Sequence, residues 1–182
     1  MRTENTIAMV AGTGWRQRLH LRKETRQGHI LLCVALWSAI SFLVFSRFVL
    51  ATVIIDGVSM EPTFQSGDHC LLNRLATVMG GVDRGDMVVL CDRGEGDYAI
   101  KRVIGVPNDD VEIRDGLVFL NGERLDEAYL ADGTRTYAPA GQLRFSLGPD
   151  SYFVLGDNRA LSEDSRYYGP VSRSKLLGVV LR

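Results

Sequence analysis

Three short stretches hold residue types at spacings that could do chemistry. In DGVSMEPT, residues 56–63, Ser59 follows a glycine by two positions and precedes a proline by three. That setting brings a strand into a turn and presents a hydroxyl at an exposed corner, although on its own such a serine is equally a plain turn residue. In AIKRVIGVPNDD, residues 99–110, the pattern reads as a strand. Alternate side chains of a strand share a face, so Lys101 sides with Ala99 and Val103 while Arg102 sides with Ile100 and Ile104. One of these cations must face apolar neighbours. Apolar surroundings disfavour an ammonium, which is what a lysine needs in order to accept a proton near neutral pH. The alternative is a lysine snorkelling at a sheet edge. The third stretch, GDNRALSEDSRYYGP, residues 156–170, gathers Asp157, Asn158, Arg159, Ser162, Asp164, Ser165 and Arg166. It fits a solvated loop, or one that satisfies buried polar groups and orients a lysine. None of the histidines (His20, His29, His69) lies near these stretches, so a Ser-His-Asp triad is not indicated. If Ser59 is a nucleophile, the sequence offers no obvious imidazole as its base. With no CxxC and scattered histidines, no metal site is indicated either.

These stretches lie among short β-type runs broken by Gly and Asp. The runs are 48–55, 69–75, 86–91, 98–106, 111–125, 151–158 and 176–182. Asp115-Gly116 and Asn121-Gly122 are tight-turn signals that cut the fifth run into a hairpin series. Residues 126–149 show no clear pattern and read as a long excursion. Cys70 and Cys91 fall in two of the strands, where a disulfide is chemically permitted; two buried thiols are the alternative.

The N-terminal part is different. Residues 1–28 carry six Arg or Lys against two Glu, and between Arg26 and Arg47 lie 20 residues without formal charge. About 20 mainly apolar residues are enough to cross a bilayer. The preceding cations put residues 1–28 in the cytoplasm and residues 48–182 outside, with Arg47 snorkelling at the far interface. A cleaved secretion signal or a buried core helix are the competing readings. The net charge of −1 gives no footprint for nucleic acid.

In order and spacing, SMEPT, RGDMVVL (84–90), KRVIGVPND and GDNRALSEDSR resemble the four sequence boxes of bacterial type I signal peptidases, in the short single-anchor form. The resemblance implies a mainly β fold: a signal-peptidase-like antiparallel β domain preceded by one transmembrane helix. Its parts are a polar cytoplasmic leader over 1–28, an anchor over 29–47 and a catalytic domain over 48–182. It further implies that Ser59 attacks the scissile carbonyl and that neutral Lys101 takes its proton. Ser162 positions the lysine amine, and the Ser59 N–H stabilises the oxyanion. Asp157, Arg102, Asp164 and Arg166 form a supporting polar shell. Met60 and Ile100 line the pocket for the small side chain before the cut. No cofactor is implied. The implied partners are preprotein signal peptides, the lipid bilayer and the secretion translocon, at the plasma membrane.

Two positions depart from the pattern. Gly57 stands where some members carry a second serine in the oxyanion hole, so Gly57→Ser is expected to be tolerated unless the backbone there needs glycine. Pro107-Asn108-Asp109 stands in place of Pro-Gly-Asp, and Asn tolerates positive φ well enough to keep that turn. The remaining functional alternatives are a dedicated Ser/Lys peptidase for one pilin or conjugation protein, and a non-catalytic membrane-anchored scaffold. A self-cleaving repressor is disfavoured by the apolar N-terminal helix.

Overall fold

The structure is a computed structural model that describes residues 14–91, 98–139 and 141–181. The expected leader over 1–28 falls partly outside these residues, and the expected snorkelling of Arg47 lies outside the described side chains. The chain divides into two compact units, one up to Arg47 and the other Phe48–Arg182.

The first unit is helical. Helix α1 runs Gly14–Val49, so helix begins well before the expected anchor. Its stretch Gln27–Ser46 is long and apolar enough to cross a membrane, and none of it is buried, which removes the core-helix reading. At about 1.5 Å per residue its 20 residues span roughly 30 Å, the thickness of a hydrocarbon core. Trp37, Phe42 and Leu31 all point outward. The hydroxyl of Ser46 donates to Leu43 O at 3.0 Å, so this polar group near the end of the stretch is satisfied within the helix.

The second unit is built from two antiparallel sheets. Seven strands form the larger, in the order β1 (Leu50–Ile54), β2 (His69–Asn73), β11 (Leu176–Leu181), β3 (Met87–Cys91), β4 (Tyr98–Gly105), β9 (Ser151–Leu155) and β10 (Val171–Ser172). The smaller sheet has the order β7 (Glu123–Arg124), β6 (Leu117–Leu120), β5 (Asp110–Arg114) and β8 (Leu143–Ser146). Its two hairpin turns are the ones the sequence signals. Asp115 and Gly116 have φ of 52° and 76°, and Asn121 and Gly122 have φ of 52° and 87°. Positive φ at both central residues is the type I′ geometry that suits strand twist.

Alternation along the strands sorts the apolar residues into cores. Ile55, Met60, Leu72, Met87, Val89 and Ile100 pack on one side of the large sheet. Val88, Leu90, Val103, Val154 and Val179 pack in a second cluster. A third cluster joins the sheets, with Ile104, Phe153 and Leu155 against Val111, Ile113 and Val118. The rings of Phe145 and Phe153 meet there at 5.7 Å.

Three features depart from the sequence reading, and one alternative it left open is decided. The 126–149 stretch contains β8, paired to β5 with Phe145 opposite Val111. The run 69–75 stops as a strand at Asn73, whose side-chain oxygen accepts from Leu75 N at 3.0 Å and turns the chain into the short helix α2, Leu75–Met79. Helix α3, Ser165–Tyr168, forms within the last motif, which was read as a loop. Cys70 and Cys91 do not bond, because β11 lies between their strands. Two strand spacings amount to about 9.5 Å, beyond the reach of a disulfide. Burial pushes the Cys70 thiol up, with Asp68 adding to the effect.

Candidate active site

Strand β1 ends at Ile54, and the loop carrying Ser59 is closed at its base. Ile55 N donates to Asp68 O at 2.9 Å, and Gly67 N donates back to Ile55 O at 2.8 Å. Inside the loop, Phe64 N donates to Met60 O and Glu61 N to Val58 O. Met60, 1% exposed, and Phe64 drive into the core beside Ile100. The apolar residue after the serine thus pins the turn, and Ser59 stays half-buried at its surface. Gly57 has a φ of 113°, which side-chain-bearing residues rarely adopt. The expectation that serine is tolerated at 57 is therefore corrected: space is open there, but the backbone requires glycine.

Lys101 lies on β4 opposite Val88 and is 4% exposed. Its neighbour Arg102 lies opposite Met87 and is also buried. The Arg102 guanidinium holds both carboxylate oxygens of Asp157, at 2.8 and 2.6 Å, and donates to Gly85 O at 2.9 Å. Thr63 Oγ1 donates to the same carboxylate at 2.5 Å. Burial alone would lower the Arg102 pKa, but its bonds to Asp157 outweigh that and raise it. One carboxylate therefore ties the loop of Ser59 to the strand of Lys101.

The segment after β9 completes the arrangement. Asn158 N donates to Ser59 O at 3.0 Å. Gly156 packs its bare Cα where a methyl group would lie 2.5 Å from Ser59 O and closer still to the Ser162 side chain. The serine turn and Ser162 are thereby brought against a single residue. Asp164 caps α3, accepting from Arg166 N, and also accepts from Gly156 N at 3.0 Å. Arg166 grips Asp164 through Nε at 2.8 Å and Nη2 at 2.9 Å, and Nη2 donates to Ser162 O at 3.1 Å. The Ser162 hydroxyl is buried without a hydrogen-bond partner, so it does not engage a lysine amine in this arrangement.

Of the residues singled out in the sequence, Ser59, Met60, Ile100, Arg102, Asp157, Ser162, Asp164 and Arg166 meet through these contacts, with Lys101 on the same strand. Others that act here were not singled out. Thr63 and Arg159 stood inside motifs that flagged them only by position. Arg84 holds Asp109 at 2.9 and 2.5 Å, clasping the RGD stretch to the lysine strand. Burial would raise the Asp109 carboxyl, but donors from Arg84, Asn121 and Val106 outweigh it and hold the group below the usual range. Asn108, with a φ of 71°, makes the turn expected of it. Glu127 and Tyr129 belong to the patternless stretch, and nothing in the sequence pointed to them. Both bond to Arg159, and the Tyr129 ring lies under Arg102 at 4.1 Å. The Tyr129 phenol is pushed above its ordinary value by burial and then by Glu127. A cleft of about 430 Å³ adjoins the serine turn, lined by Glu61, Pro62, Thr134, Arg135 and Asn158 among others.

A family model described as signal peptidase, peptidase S26, matches residues 27–181. The chain is 33% identical over 174 residues to Signal peptidase IB of Staphylococcus aureus, covering 88% of this chain and 89% of that protein. It is 37% identical over 131 residues to Signal peptidase I S of Bacillus subtilis, covering 68% of this chain and 70% of that one. A crystal structure of a signal peptidase I from Enterococcus faecalis aligns with a TM-score of 0.46 at 32% identity, covering 55% of this chain and 97% of that chain.

Proposed function

The chain belongs to the signal peptidase family, peptidase S26, and on that premise we propose that it is a membrane-anchored serine endopeptidase that removes signal peptides from exported preproteins with Ser59 and Lys101. The observation that carries the reading is a lysine only 4% exposed on β4, whose neighbour Arg102 is tied through Asp157 to the loop of the half-buried Ser59. An amine removed from water holds its proton less tightly. Lys101 is then suited to take the proton of Ser59 Oγ as that oxygen attacks the scissile carbonyl. The tetrahedral oxyanion forms beside the Ser59 N–H, in a loop whose carbonyl is fixed by Asn158. Oriented donors of this kind are worth about 2.7–4 kcal/mol each in acyl transfer. The lysine proton passes to the leaving amine, and an ester to Ser59 remains. Water, deprotonated by the same amine, attacks the ester, releases the signal peptide's carboxylate and restores the hydroxyl.

Ser162 carries a buried hydroxyl with no partner, and such groups are costly unless they gain one. In this reading the Lys101 amine becomes its partner as the reaction proceeds. Met60 and Ile100, packed together, form the apolar floor for a small side chain before the cut. The stretch Gln27–Ser46 anchors the enzyme with its N-terminus in the cytoplasm and its β domain outside, beside the translocon that delivers its substrates. A shared bilayer raises the effective concentration of a substrate whose signal is also apolar.

The test is cleavage of a signal-peptide-bearing preprotein by the full chain in detergent or lipid, beside Ser59→Ala and Lys101→Ala. Cutting after a small residue by the parent, with both variants dead, is the expected result. An active Lys101→Ala would remove the lysine from the mechanism.

A further inference from the structure

We infer that Glu127 and Tyr129, on the stretch between β7 and β8, are positioning residues for the reaction: they lock the two buried arginines from which the Ser59 loop and the Ser162 loop are hung. This rests on the Ser59/Lys101 reading given above.

The guanidinium of Arg159 is 1% exposed at its side chain and needs a counter-charge there. Its carboxylate partner is Glu127, at 2.5 Å, and it also donates to Thr136 Oγ1 and, at 3.4 Å, to Tyr129 OH. Its Nε donates to Gly156 O at 3.0 Å. Gly156 is the residue packed directly against Ser59 O and the Ser162 side chain. A displaced Arg159 therefore displaces the contact shared by both serines.

Tyr129 connects that arginine to the other one. Its hydroxyl donates to Glu127 at 2.9 Å, and its ring lies 4.1 Å beneath Arg102. Arg102 in turn fixes Asp157, and Asp157 precedes Asn158, whose N–H holds Ser59 O. A path of hydrogen bonds, ion pairs and one cation–π contact thus runs from Thr136 through Arg159, Tyr129 and Arg102 to Thr63. It reaches the nucleophile turn at Thr63 and, through Gly156 and Asn158, at Ser59 O. Neither Glu127 nor Tyr129 touches Ser59 in this path, so they act on its placement and not on the bond being cut.

A misplacement of about 1 Å at a reacting group can cost on the order of 100-fold in rate. The full chain in detergent is assayed on a preprotein as Tyr129→Phe, Tyr129→Leu and Glu127→Gln, with Ser59→Ala alongside. Rates are expressed per folded molecule from each variant's own unfolding curve, well below its midpoint. Tyr129→Leu and Glu127→Gln are expected to lose roughly 10- to 100-fold in kcat with KM little changed, as for an interaction felt in the transition state. Tyr129→Phe keeps the ring under Arg102 but loses the hydroxyl bonds to Glu127 and Arg159, so its rate is expected to fall between wild type and Tyr129→Leu. A folded Glu127→Gln or Tyr129→Leu with wild-type kcat, whatever its midpoint, overturns the inference and leaves a purely stabilising role. If instead Ser59→Ala still cuts, the serine reading itself falls and takes this one with it.

Discussion

Adding one methyl group at Gly156 is the sharpest probe of the proposed site. The Cβ of Gly156→Ala would lie 2.5 Å from Ser59 O and nearer still to the Ser162 side chain. Ordinary contact requires at least about 3.4 Å, so residue 156 must move or both groups must retreat, Ser59 O by roughly 0.9 Å and the Ser162 side chain by more. Ser59 O cannot retreat freely, since Asn158 N holds it at 3.0 Å and Met60 pins the next residue in the core. Overpacking of this kind costs about 1–3 kcal/mol. For the unit Phe48–Arg182, with about 2.1 cal/mol/K per residue, that is a fall in Tm of roughly 4–11 °C. The rate should suffer more, because a shift near 1 Å at the nucleophile is worth on the order of 100-fold. The assay is kcat/KM on a preprotein beside thermal unfolding, both in the same detergent. A variant with wild-type kcat/KM and a lowered Tm would refute the reasoning, because it would show that neither serine next to Gly156 belongs to the chemistry.

Asp157→Asn should be severely destabilising, since it leaves the Arg102 guanidinium buried without its carboxylate. Breaking such a pair costs about 3–5 kcal/mol, and Tm measured against wild type checks it. Gly57→Ser should lower activity strongly, as its φ of 113° is strained for any side chain, and kcat/KM of that variant against wild type decides. The lowered Asp109 carboxyl gives a pH signature. A depressed folded value contributes stability fully above the unfolded value near 3.9 and loses it as pH falls through the folded value. The Tm gap between wild type and Asp109→Asn should therefore be constant above about pH 5 and narrow progressively below about pH 4; a gap that did not narrow at all as the pH falls below about 4 would exclude the linkage. Arg84 is half exposed, so the same gap should shrink with added salt.

The strands and the two type I′ hairpins were readable because each rests on a local rule, either alternation or an Asx-Gly pair. The alternation argument also placed Arg102 with Ile100 and Lys101 with Ala99 before any contact was known. What could not be read has a physical reason in each case. Strand β8 has four residues, and its pairing with β5 gives the only sign that it is a strand. Helix α2 went unread, with its first residue Leu75 assigned to the run 69–75, because five residues of Leu, Ala, Thr, Val and Met carry no period, and only the Asn73 side chain ends β2. The Cys70–Cys91 question turned on β11, which arrives from the far end of the chain.

The site follows the same division. Motifs revealed the groups proposed to meet substrate, because such chemistry restricts them to few residue types. Glu127 and Tyr129 escaped notice because any acid and any aromatic can occur in an excursion, and their importance comes from two arginines distant in the chain. Gly156 escaped for the opposite reason: its contribution is a missing side chain, which a sequence records without saying what occupies the space. The polar groups of this site, Arg102, Asp157, Arg159, Asp164 and Arg166, are all buried. A buried charge without a partner is expensive, whereas a matched pair is held to one geometry. In this fold the Arg102–Asp157 pair, with Thr63 on the same carboxylate, ties the loops after β1 and β9 to strand β4. Rigid placement of a lysine and a serine on separate elements is what a two-residue mechanism requires, and a hydrophobic core alone would leave those loops free to slide.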